Sequence, residues 1–169
     1  MAYSADTFTS LEQPTLAKWN KLWANDAAFN DGTGLPSANA ARAIVTTSET
    51  LNTATYTKLT TTTDQVTVTV GATGKVWVSA KAVTANNAVT YNYMVVALTG
   101  ANTLTAANAD TAGYAAQETQ MSGSNLSGIQ VGYVMSGLTP GSTTFSMYYK
   151  SDGVNIASFR NRIISVIPL

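Results

Sequence analysis

The sequence predicts an all-β protein: an antiparallel, jelly-roll-like β-sandwich preceded by a short N-terminal α-helix. Three observations lead there. From Ala43 onward apolar residues recur with a period of two, in runs rich in Val, Thr, Ile and Tyr. Those runs are short and are separated by Gly, Asn and Pro turns. Helical spacing stands near the start, where Leu16, Trp19, Leu22 and Trp23 form one stripe after Pro14, a residue tolerated in a first helical turn.

The helix comes first. Asn25, Asp26, Asn30, Asp31, Gly32 and Gly34 break its pattern and Pro36 ends it. A helix of about four turns is marginal alone and must dock on something. Residues 1–36 are therefore read as a helical attachment arm and linker, and residues 37–169 as the β-sandwich head. Leu16, Trp19, Leu22 and Trp23 are the expected attachment residues, because paired indoles on a short helix bring more apolar area than the helix can bury by itself.

Strands are expected at 43–50, 55–59 and 65–70. In the last, Val66, Val68 and Val70 face one way and Thr67 and Thr69 the other. Gly71 to Gly74 supplies a turn into 75–83, where Val76, Val78, Ala80 and Ala82 share a face, so a hairpin is expected. A strand at 89–99 leads into a polar, Ala-rich stretch at 100–110, read as an exposed loop, and a weaker strand at 114–119. Strands at 128–136, 143–150, 155–160 and 162–167 complete the domain, with turns at Pro140-Gly141 and Asp152-Gly153. The sum is about nine or ten strands with no interior helix, which suits two packed sheets.

Two strands are apolar on both faces. Tyr93, Val95 and Ala97 alternate with Met94, Val96 and Leu98, and Ile163 and Ile167 oppose Ile164 and Val166. One face can fill the core, and the other needs a cover: a neighbouring subunit, or loops of the same chain. On the first alternative, Met94, Val96, Leu98, Ile164 and Val166 form the expected subunit interface of a homo-oligomer.

Composition narrows the function. Nine basic and nine acidic residues cancel, charged residues make up 11 % of 169, and the cations are spread along the chain. A nucleic-acid partner, which needs clustered Lys and Arg, is not expected. With Cys and His both absent from the sequence, there is no disulfide, no thiolate metal site and no imidazole base, so no cofactor and no enzymatic activity are expected. The longest apolar runs fall short of a membrane helix, and Lys18 and Lys21 come too late for a secretory leader, so neither membrane insertion nor that export route is expected. Low charge with 45 % hydrophobic residues suits a subunit that buries much of itself in an assembly.

Candidate chemistry is thin. Asp6, Glu12, Asp26, Asp31, Glu49, Asp64, Asp110, Glu118 and Asp152 fall mostly in expected turns and caps, where carboxylates bond local amides. Asn30-Asp31-Gly32-Thr33-Gly34 lacks the ordered acids of a calcium loop, and Asn125-Leu126-Ser127 is a common tripeptide pattern. Tyr91, Tyr93, Tyr114, Tyr133, Tyr148 and Tyr149 could present ring faces to a sugar or simply pack within sheets. Arg160 and Arg162 are expected on one face of the end strand, as solvated charges or paired with a neighbour.

The opening, with Glu12-Gln13-Pro14-Thr15, Ala17-Lys18-Trp19-Asn20-Lys21-Leu22-Trp23 and Phe29-Asn30-Asp31-Gly32-Thr33-Gly34, resembles the start of fibre and appendage proteins of tailed bacteriophages. The end is similar to the same group: Gly137-Leu138-Thr139-Pro140-Gly141-Ser142, then Phe159-Arg160-Asn161-Arg162-Ile163-Ile164 running into Ile167-Pro168-Leu169. The resemblance implies a homotrimeric virion protein, a head fibre, decoration or tail-tip protein. Its arm would dock on other capsid or tail proteins, and its outward head, akin to tumour-necrosis-factor-like jelly rolls, could contact a host-surface glycan. The chain lacks the repeat or coiled-coil shaft of a long fibre. The rival expectation is a non-catalytic carbohydrate-binding β-sandwich module.

Overall fold

A computed structural model describes residues 40–120 and 126–169. The expected helix and its attachment residues Leu16, Trp19, Leu22 and Trp23 lie outside the described residues. Nine strands are described: β1 (Ala41–Val45), β2 (Glu49–Leu51), β3 (Gln65–Val70), β4 (Val76–Asn86), β5 (Thr90–Gly100), β6 (Ala115–Gln120), β7 (Ser127–Met135), β8 (Gly141–Lys150) and β9 (Ala157–Pro168). They form two antiparallel sheets. The first has the order β1-β9-β4-β7 with β2 also on β9, and the second the order β3-β8-β5-β6.

Most successive strands change sheets, which gives a jelly-roll sandwich rather than a row of hairpins. The 65–70 and 75–83 runs illustrate this. Both are strands with the expected faces, Val66, Val68 and Val70 and then Val76, Val78, Ala80 and Ala82 all being buried. They do not pair as a hairpin: β3 joins β8, whereas β4 lies between β7 and β9. The Gly74 amide does donate to the Gly71 carbonyl across 3.0 Å, but its own carbonyl is taken by the Leu138 amide of the neighbouring loop, also at 3.0 Å. A central place with a ladder on both edges satisfies more backbone groups of an 11-residue strand than a two-stranded hairpin could.

Three further expectations change. The 55–59 strand reduces to one bridge, Thr57 to Tyr149. The 100–110 stretch holds a short helix, α1 (Ala106–Thr111), with the Thr105 side chain accepting from the Asn108 amide at 3.2 Å and Gly113 at a φ of 81° beyond its end. Lastly, 155–160 and 162–167 are one strand, β9, interrupted by a bulge. Lys81 lies opposite Ile163 and Val83 opposite Arg160, so β9 spends one residue more than β4 there, and Asn161 has a φ of 49°.

The inward faces of both sheets make one core, with Val78, Ala80, Met94, Val96, Phe145, Met147, Phe159, Ile164 and Val166 among its buried members. Outside the second sheet, α1 covers β5: Val95 and Ala97 are buried against Ala106 and Ala109, with Tyr56, Tyr114 and Tyr148 around them. The second apolar face of β5 is therefore covered by the chain itself.

Candidate functional site

The five residues expected at a subunit interface need correction. Met94, Val96 and Leu98 of β5 and Ile164 and Val166 of β9 all point between the sheets and are buried within one protomer. Alternation identifies two faces of a strand but not which one turns inward: on β9 the opposite face is the open one, whereas on β5 the opposite face is covered by α1.

The outer face of the first sheet is the uncovered one. Across neighbouring strands, Trp77 stands between Val134 and Ile167; the next level of this face holds Gly132, Ser79, Ser165 and Arg42, and the one after it Gln130, Lys81, Ile163 and Ile44. Ile44, Trp77 and Val134 are 54, 39 and 47 % exposed. Gly132, across from Ser79, leaves room for the indole: a Cβ there would sit 3.2 Å from the Trp77 ring. Arg42, Lys81 and Gln130 belong to the same face, so the apolar groups Val134-Trp77-Ile167 and Ile163-Ile44 are separated by a polar level that holds Ser79, Ser165 and Arg42.

The outer face of the second sheet differs in character. Thr67 and Thr144 share a hydrogen bond of 2.7 Å, and the Lys58 ammonium reaches Gln65 and Ser146 at 3.0 and 3.3 Å. Between α1 and residues 54–56 lies a cleft of about 630 Å³, lined by Tyr56, Tyr148, Leu104, Asp110, Lys150 and several threonines. The Lys150 ammonium bonds Asp110 Oδ2 at 2.9 Å and sits 4.3 and 4.5 Å from the ring centres of Tyr56 and Tyr93. Burial, followed by the negative charge of Asp110, pushes the Tyr56 phenol up. This constellation was missed in the sequence because Tyr56, Asp110 and Lys150 come from three separate segments.

The tyrosines do not form one platform. Tyr149 is in the core against Phe159, ring centres 4.7 Å apart, and Tyr114 pairs with Tyr133 at 4.6 Å at the core margin. Tyr91 and Tyr93 are 6.3 Å apart on the outer side of β5, and Tyr148 lines the cleft. Nor do Arg160 and Arg162 share a face. The bulge turns Arg162 inward, where it is fully buried and ion-pairs with Asp64 and Glu49 of its own chain at 3.0 and 3.5 Å. Asp152 closes a turn, accepting from the Val154 and Asn155 amides and from Thr90 Oγ1 at 2.7–2.9 Å. Among the described residues no three acidic side chains gather as metal ligands, and no helix is long and apolar enough to cross a membrane.

No family model and no curated protein matches the sequence. Similar solved structures include the Eiger TNF of S. frugiperda, at 11 % identity and a TM-score of 0.47 over 77 % of this chain and 91 % of that one. They also include TmCBM61 in complex with beta-1,4-galactotriose, at 10 % identity and a TM-score of 0.31, covering 76 % of this chain and 75 % of that one. A third is the enzymatically active domain of bacteriophage CBA120 tailspike protein 4, at 12 % identity and 0.33, covering 76 % of this chain and 19 % of that one. At such scores none of them assigns a role to a residue of this chain.

Proposed function

We propose that the chain is a non-catalytic structural protein of a tailed-phage particle, a homotrimer whose first sheet faces its sister subunits and whose arm, residues 1–36, docks on the capsid or tail. The observation that carries the assembly is the open apolar row Val134-Trp77-Ile167, with a second apolar pair, Ile163 and Ile44, two levels away, on a sheet whose other face already fills the core. Exposed apolar and aromatic side chains interspersed with polar ones are the make-up of a subunit interface. Trp77, flattened over Gly132, is the kind of central aromatic anchor on which such contacts depend. The second sheet, with its Thr, Ser and Gln surface and its α1 cleft, is the face left outward. Three copies and the virion setting follow from the resemblance of the opening and closing segments to phage appendage proteins.

Native mass spectrometry tests this directly: the full chain is expected as three copies, and Trp77→Glu, with an unchanged β-sheet circular dichroism spectrum, as a single one. A wild-type chain that stays monomeric at every concentration sinks the assembly. The cleft favours a second reading, a carbohydrate-binding sandwich module, which such a monomer would leave standing.

A further inference from the structure

We infer that the cleft between α1 and residues 54–56 binds a neutral pyranose unit, with the Tyr148 ring and the Ala97, Leu104 and Ala106 side chains giving apolar contact and Asp110 and Lys150 the hydrogen bonds. This deepens the reading of the second sheet as the outward face and rests on it.

Size comes first. A volume of about 630 Å³ is within the roughly 300–1,000 Å³ of small-molecule clefts. Its floor and walls include Ala97, Leu104 and Ala106, and its margin carries Thr55, Thr103 and Thr111. An apolar floor with a hydroxyl rim suits a ligand that has an apolar face and an edge of hydroxyls.

Charge then selects among ligands. Lys150 and Asp110 neutralise each other at 2.9 Å, so the cleft offers no net field to an anion or a cation. Their side chains remain 21 and 35 % exposed, and the pairing consumes a single donor and a single acceptor. An ammonium with N–H groups to spare beside a carboxylate with lone pairs to spare matches a vicinal diol, each hydroxyl of which donates and accepts. The pair is also held in place. Lys150 sits against both Tyr56 and Tyr93, so little side-chain freedom is left to lose on binding.

The test is saturation-transfer NMR on the full chain with glucose, galactose, mannose and a neutral maltooligosaccharide, and with N-acetylneuraminate and phosphate as anions. Transfer to at least one neutral sugar is expected, and Lys150→Met and Asp110→Asn, both checked for unchanged melting, should each weaken it by about tenfold or more, since a hydrogen-bonding site loses strongly when a partner is removed. Tighter binding of the oligosaccharide marks a polymer as the source, and equal binding a free sugar; both support the site. Transfer to anions alone, to nothing, or undiminished in both variants overturns it. Binding that survives in Trp77→Glu separates the two proposals, because the cleft is on the other sheet: a failed trimer leaves the sugar site intact, and the reverse holds too. Loss of binding in Trp77→Glu with retention in the cleft variants would place the sugar elsewhere and overturn the inference.

Discussion

Arg162 Nη1 donates to Asp64 Oδ2 across 3.0 Å inside the sandwich, with the two side chains 0 and 2 % exposed. The same carboxylate oxygen accepts from the Tyr149 hydroxyl at 2.7 Å, and the guanidinium lies 5.8 Å from the Tyr149 ring centre. Glu49 completes the cluster and also accepts from the Thr61 amide and hydroxyl. A buried cation thus ties β9 of the first sheet to the loop entering β3 of the second, at the place where β9 passes from β1 to β2.

Removing Asp64 leaves the buried guanidinium of Arg162 with only the longer, 3.5 Å contact to Glu49. Asp64→Ala is expected to cost about 3–5 kcal/mol, read as a lower urea midpoint at unchanged slope. A loss under about 1 kcal/mol would mean that the cluster is solvated or slack.

The bulge depends on one backbone conformation. Asn161 has a φ of 49°, where a β-branched side chain clashes and glycine does not. Asn161→Val should destabilise by about 1–2 kcal/mol and Asn161→Gly should be close to neutral. Equal melting temperatures for the two variants would refute the assignment.

Acid should act in opposite senses on two aspartates. The amides of Asn155 and Val154 with Thr90 hold Asp152 well below the usual carboxylate range of 3.8, so its contribution is present above that value and is lost as pH falls below it. The stability gap between wild type and Asp152→Asn is therefore expected to be widest near neutrality and to shrink in acid. Burial raises Asp64 above 3.8 despite Tyr149 and Arg162, so its own titration favours the folded state most at low pH and less as pH rises through the raised value. Urea titrations at stepped pH measure both, and a gap for Asp152→Asn that grows in acid contradicts the first.

Deleting residues 1–36 is expected to leave a head with the same melting curve that no longer joins the particle. Immunogold electron microscopy of phage grown with the truncated chain reads the outcome. Normal occupancy would remove the docking role of Leu16, Trp19, Leu22 and Trp23.

Much of the fold is legible in the sequence. Val66, Val68 and Val70, and Val76, Val78, Ala80 and Ala82, are buried on the faces that their alternation indicated. The cleft is not legible there: Asp110 falls in an expected loop and Tyr56 in an expected strand, and nothing local brings Lys150 to either. The helix that forms one wall was hidden as well. Its six residues, Ala106–Thr111, contain two Ala that bury on Val95 and Ala97, a contact of the tertiary structure and not a periodicity.

What the sequence determined by itself was local: which residues alternate, where turns interrupt them, and that a chain without Cys or His and with little charge offers few chemistries. Partner choice was decided by the tertiary structure. A period of two is the same whichever strand lies alongside, so β3 and β4 could be read as a hairpin until competition for long ladders set them in different sheets. Face was decided there too, because one extra residue at Asn161 reverses every side chain beyond it, and that reversal carries Arg162 from the surface to the core.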